Sequence, residues 1–210
     1  MANTALQETA YCDLSHSAIS ALAKKLTAGE TDPAKITQAT FKHVRDNIRF
    51  GGDLVQVKAS ETLAKGYGAC WNKALLLVAL LRKNQISARL AYNQVKRDFV
   101  RPILGEACEA QPETTNHCFT LVYLNDKWIA IDATLDPRVY QKFFIPQNVA
   151  WGIDWNGKDN MRLYTESIVG SIEVFEDIDT AIQQDVGNLM PAPSEAAAFF
   201  APLNKLIWQD

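Results

Sequence analysis

The sequence predicts an α+β fold in which a buried helix packs on an antiparallel sheet, and three observations carry that reading. Ala74 to Leu81 is apolar on every side, so the helix that holds it belongs inside the molecule and not on its surface. Ser87 to Val95, Cys118 to Tyr123 and Lys127 to Ile131 have strand-like composition, and Leu124-Asn125-Asp126 joins the last two in hairpin fashion. Helix and hairpin-connected strands in separate runs of the chain describe α+β architecture.

In chain order, Leu14 to Ala28 reads as a helix, with Ile19, Leu22 and Leu26 at helical spacing and Gly29 just past its end. Asp32-Pro33 opens a second helix, since proline is favoured at the first helical position. Its buried stripe is Ile36, Ala39, Thr40, Phe41, Val44 and Ile48; Lys42, Arg45 and Asp46 are expected to face water, and Gly51-Gly52 to stop it. The central helix starts at Cys70 and ends favourably at Arg82 and Lys83. Asp98 to Thr115 has no sustained period and is expected to be an irregular loop shaping a cleft. Beyond Pro137, Trp151, Trp155 and Gly157 lie in an irregular stretch, Ser171 to Val174 reads as a strand, and Glu195 to Leu206 is helical in composition but broken by Pro202.

The chain has 210 residues, enough for one domain with a full core, and one domain over 1–210 is the expectation. With 48% hydrophobic and 21% charged residues and a net charge of -3, it carries no electrostatic reason for nucleic acid or an anionic membrane as partner. Peptide, protein or small amide substrates fit better; oligomeric state is left unassigned. Met1 to Tyr11 lacks a basic start and an apolar run, so the cytoplasm is the expected location. Cys12, Cys70, Cys108 and Cys118 are too few and scattered for a disulfide scaffold, which fits reduced thiols. A zinc site from Cys70, His117, Cys118 and Cys108 is disfavoured because no close Cys-x-x-Cys or His pair exists. No motif for a nucleotide, phosphate or redox group occurs, so neither cofactor nor metal is expected.

The chemistry concentrates in three residues. Cys70 stands at a helix start, where unsatisfied backbone N–H groups and the positive end of the dipole favour a thiolate. Gly66 and Gly68 permit a tight turn and close approach of a substrate, and the backbone N–H of Cys70 is the natural oxyanion donor. Gln56 is the candidate for a second donor; Trp71 and Asn116 are candidate cleft residues. His117 and Asp132 lie on paired strands, and a hairpin loop of two or four residues places them on one sheet face, within about 5 to 8 Å. A three-residue loop would put them on opposite faces. Asp132 would then fix the imidazole tautomer and stabilise the imidazolium formed when His117 takes the thiol proton.

These residues carry a resemblance to the transglutaminase-like superfamily. Ala59-Ser60-Glu61-Thr62-Leu63, Gly68-Ala69-Cys70, Leu80-Leu81-Arg82, His117 to Tyr123, and Trp128 to Thr134 match that core in order, over about Phe41 to Asp136. The resemblance implies a fold related to papain-like enzymes, a catalytic core at about 41–136 and an extension at about 137–210. It assigns Cys70 as nucleophile, His117 as general base and acid, and Asp132 as orienting carboxylate. Phe50 departs from the pattern, because many members carry an aromatic hydroxyl after a similar helix. If that hydroxyl helps bind the oxyanion, the function passes to another residue here. Trp155-Asn156-Gly157 resembles a Trp-x-Gly stretch seen beyond the core in some relatives.

The bland readings are packing for Cys118, an ordinary exposed thiol for Cys108, solvated surface for His16 and His43, core packing for Trp151 and Trp155, and a solvated acidic loop for Glu106, Glu109 and Glu113. Asp132, on a residue type that strands avoid, resists one. The leading function is a cysteine-dependent hydrolase, peptidase or amidase, or an acyltransferase, cleaving an amide through a thioester. The alternative is a non-catalytic peptide- or protein-binding module on the same fold.

Overall fold

A computed structural model describes residues 4–175, 178–184 and 191–209. Helix α1 (Ser17–Leu26) starts later than its periodicity suggests, because Asp13 to His16 form a turn and the His16 ring accepts from the Ala18 N–H. Helix α2 (Pro33–Asn47) is capped by Asp32, whose carboxylate accepts from Ala34 N at 2.9 Å. Its Arg45 is buried, contrary to the expectation of a water-facing side chain. The guanidinium donates to the Ile153 carbonyl at 3.0 Å and pairs with Asp46 and Asp154, so a later segment of chain covers that face.

The glycine pair does not stop α2 directly, since strand β1 (Arg49–Phe50) intervenes. After helix α3 (Ala59–Lys65) comes strand β2 (Tyr67–Gly68), which pairs with β1 in parallel, Arg49 opposite Tyr67 and Phe50 opposite Gly68. Helix α4 (Cys70–Lys83) follows at once, and every residue from Trp71 to Arg82 is buried, as its all-round apolarity requires. It lies between α1, α2 and α3 on one side and the main sheet on the other.

That sheet is antiparallel. Strand β3 (Ala88–Lys96) leads through helix α5 (Arg101–Leu104) to strand β4 (Thr114–Leu124) and strand β5 (Lys127–Ile131). Helix α6 (Pro137–Val139) precedes strand β6 (Ile168–Val174), which completes the order β5-β4-β3-β6. Asn125 and Asp126 alone close the β4–β5 hairpin, both at left-handed φ (49° and 62°), the geometry whose twist matches the strands. Cys118, Val122, Ile129 and Ile131 join the core around α4, whereas Phe119, Leu121 and Ala130 pack with Ala91 on the opposite face.

The expected loop at 98–115 is more ordered than its composition suggests. Arg97–Val100, α5 and Gly105–Ala110 form successive short helical turns, laced by Arg97 and Arg101 to Glu109 and by Arg101 to Asp98. β4 starts at Thr114, because β3 extends to Lys96 and offers it a partner. Cys108 is fully buried, not exposed, since the Gly105–Ala110 turn directs it inward. Towards the end of the chain are helix α7 (Ile178–Gln184) and helix α8 (Ala196–Trp208). α8 runs through Pro202 unbroken. Pro202 and Ala198, whose carbonyl loses its donor, both face water, while Phe200, Asn204 and Ile207 anchor the inner side. Among the described residues no helix is long and apolar enough to cross a membrane.

Candidate active site

The platform for Cys70 is built from its neighbours. Gly66 ends α3 in the left-handed conformation (φ 70°), and the chain turns back as β2 against β1. A Cβ on Gly68 would lie 2.6 Å from the Asn72 Cβ, so glycine is required for the chain to enter α4 this closely. Asn72 Oδ1 accepts from Ala69 N at 2.9 Å and its Nδ2 donates to the Leu54 carbonyl at 2.8 Å. One amide thus joins the helix entry to the preceding loop. Cys70 is the first helical residue, a free thiol and partly exposed.

His117 and Asp132 meet through the hairpin. The register pairs Thr120 with Ile131, so the next pair sets Asp132 opposite Phe119 and makes His117 its diagonal neighbour on one face. The two residues are 3% and 2% exposed, and His117 Nε2 lies 2.6 Å from Asp132 Oδ2. Asp132 Oδ1 accepts from Thr134 N at 3.1 Å, so both carboxylate oxygens are engaged. His117 Nδ1 has no hydrogen bond of good geometry among the described residues. With Nε2 committed to Asp132, Nδ1 is the ring nitrogen left for the thiol. Burial disfavours the imidazolium, but the Asp132 carboxylate and then the Cys70 side chain more than offset it, and the His117 pKa is pushed up to about 10.

Lys73, one turn along α4 from Cys70, is fully buried with Nζ 2.5 Å from the Ile48 carbonyl. Burial lowers its pKa to about 7 despite the nearby Asp136 and Asp132 carboxylates. Asp136 accepts from Phe50 N at 2.7 Å and caps α6, which ties the chain beyond Asp132 to β1. The lone lysine inside an apolar helix was a readable signal that sequence reasoning passed over.

The other predicted residues are less central. Trp71 is buried and packs on Phe175, ring centroids 5.1 Å apart. The Gln56 amide nitrogen is 3.5 Å from the Ile182 carbonyl, and Asn116 is a half-buried β4 residue opposite Gln94. Cys118 is buried in the α4 core, and Trp151 and Trp155 are buried as well. Tyr164, which no sequence feature singled out, stands edge-on to His117 at 4.8 Å between ring centroids. Among the described residues, Asp98, Cys108 and Glu109 form a group with metal-ligand spacing. Both carboxylates already pair with arginines, an environment that disfavours a cation.

Comparison with curated protein sequences gives no match. Among solved structures, a candidate cysteine protease from Cytophaga hutchinsonii is 22% identical with a TM-score of 0.48, over 81% of this chain and 52% of that one. The chain therefore spans about half that protein's length. A candidate protease from Parabacteroides distasonis is 12% identical (TM-score 0.42; 58% of this chain, 25% of that one). Red sea bream transglutaminase is 16% identical (TM-score 0.40; 55% of this chain, 26% of that one). The family model described as transglutaminase-like superfamily matches residues 20–133, from α1 through the β4–β5 hairpin. On that match over more than half of its length, the chain belongs to the transglutaminase-like superfamily.

Proposed function

We propose that the protein is a cysteine-dependent hydrolase that cleaves an amide bond through a thioester on Cys70. The observation that carries this reading is the buried 2.6 Å contact between His117 Nε2 and Asp132 Oδ2, beside an Nδ1 that makes no hydrogen bond of good geometry among the described residues. In the reaction, Nδ1 takes the Cys70 proton and the sulfur attacks the carbonyl carbon. The carbonyl electron pair moves to oxygen, where the Cys70 backbone N–H receives it. Collapse of the adduct breaks the C–N bond as the imidazolium protonates the leaving amine. Water, activated by the same imidazole, then releases the acid. Asp132 holds the ring in one tautomer and balances its charge during both proton transfers. Water is favoured over an amine as acceptor because it is the most abundant one.

Alkylation of Cys70 by iodoacetamide as a function of pH, located by mass spectrometry, tests the reading. Fast labelling that persists well below the free-thiol range of about 8.5 and is lost in His117→Ala is the expected outcome. Slow labelling with an ordinary thiol profile in both proteins would point to a binding module instead.

A further inference from the structure

The hydrolase reading leaves the oxyanion with one evident donor, the Cys70 backbone N–H. We propose that the Tyr164 hydroxyl is the second donor to the oxyanion that forms at Cys70, so that Tyr164 is a catalytic residue. The inference rests on the assignment of Cys70 as nucleophile.

Four observations converge on Tyr164. The residue is 3% exposed, yet among the described residues its hydroxyl makes no hydrogen bond, and the oxygen is not sealed from solvent. A buried tyrosine normally satisfies its O–H within the protein, so a partner from solution is implied. The ring stands perpendicular to His117 (88°) and is boxed by Phe99, Trp151 and Phe144 at 5.1, 5.2 and 5.8 Å between centroids. Such a box needs only a ring, and phenylalanine would fill it equally well. Tyr164 also adopts a left-handed backbone (φ 57°, ψ 33°), which a bulky aromatic residue rarely does and which clusters at functional sites.

The electrostatics suit a donor. Burial, then the charges of Asp132 and Cys70, holds the phenol well above its ordinary pKa, so the O–H keeps its proton. Two side-chain amides near Cys70 have partners elsewhere. The Asn72 amide spans Ala69 and Leu54, and Gln56 Nε2 faces the Ile182 carbonyl.

The test compares two reactions of the same thiol in the full chain. With p-nitrophenyl acetate, Cys70 sulfur bonds to the ester carbon and the carbonyl pair passes to oxygen. The C–O bond to p-nitrophenolate then breaks, leaving acetyl-Cys70 and the thiol proton on His117. Iodoacetamide alkylation proceeds by displacement of iodide and forms no oxyanion. Removing one oxyanion donor commonly costs about 100-fold, so Tyr164→Phe is expected to slow acetylation about 10- to 100-fold while alkylation stays within about twofold at each pH.

A parallel fall in both reactions would overturn the proposal and make Tyr164 a residue that positions His117. Unchanged acetylation would also overturn it. A wild type that reacts with both reagents as an ordinary thiol would remove the nucleophile assignment and the proposal together. That failure is distinct from a fast wild type matched by a fast Tyr164→Phe.

Discussion

Replacing Asp132 by asparagine keeps the shape of the site and removes its buried negative charge. In the wild type the carboxylate is the main influence raising His117 to about 10, against burial that pulls the other way. Once the charge is gone burial dominates, and the ring is expected to titrate below its ordinary value of about 6.5. At pH 6 a free thiol of pKa about 8.5 is roughly 0.3% thiolate, so an imidazolium partner can raise the reactive fraction at most about 300-fold. A thiolate stabilised in this way is a weaker nucleophile, which reduces the expected advantage to about 10- to 100-fold. Asp132→Asn should therefore alkylate with iodoacetamide at pH 6 about 10- to 100-fold more slowly than wild type, with the two rates converging above about pH 9. NMR titration of the His117 ring in both proteins reads the cause directly. Equal alkylation rates at pH 6, or a ring that titrates at the same pH in both proteins, would refute the reasoning.

The same pair makes stability depend on pH. Because His117 is raised from about 6.5 to about 10, its contribution is fully present below about pH 6.5 and is lost as pH rises through about 10. The gap in unfolding free energy between wild type and His117→Gln, measured by urea titration, should narrow between pH 7 and 10.5. Asn204 pairs with both backbone groups of Gly52, accepting from its N–H at 2.7 Å and donating to its carbonyl at 3.0 Å. Asn204→Ala leaves two buried backbone groups unpaired and should cost about 2 to 4 kcal/mol in the same assay. A methyl on Gly52 would lie 2.4 Å from Phe200 Cδ1, so Gly52→Ala should cost about 1 to 3 kcal/mol, with Phe200→Leu restoring part of it. Cys12 is buried and its thiol is pushed up to about 12, so it should resist iodoacetamide until the chain unfolds, as mass mapping of labelled peptides would show.

The adjacency of His117 and Asp132 was legible because strand parity is a period of two and a short hairpin leaves little freedom. Asn125-Asp126 then decided the face. The buried central helix was legible because its apolarity has no gap wide enough for a solvent face. The rest depended on contacts between distant parts of the chain. Arg45 has the composition of a surface residue, and only the arrival of Ile153 and Asp154 buries it. Pro202 reads as a breaker until it is known to face water. Tyr164 comes from a stretch without period, and its place beside His117 follows from how that stretch folds over the sheet, which no local pattern encodes.

The engagement of Gly52 by Asn204 also has a temporal side. β1, the loop that Asn72 grips through Leu54, and the start of α4 are all translated well before α8, yet the last fastening on that platform comes from residue 204. A nascent chain that has emerged only through Asp132 already carries Cys70 and His117 as well but lacks the helix that holds Gly52. Order of synthesis thus separates the appearance of Cys70, His117 and Asp132 from the completion of the platform at Gly52, which follows the docking of α8.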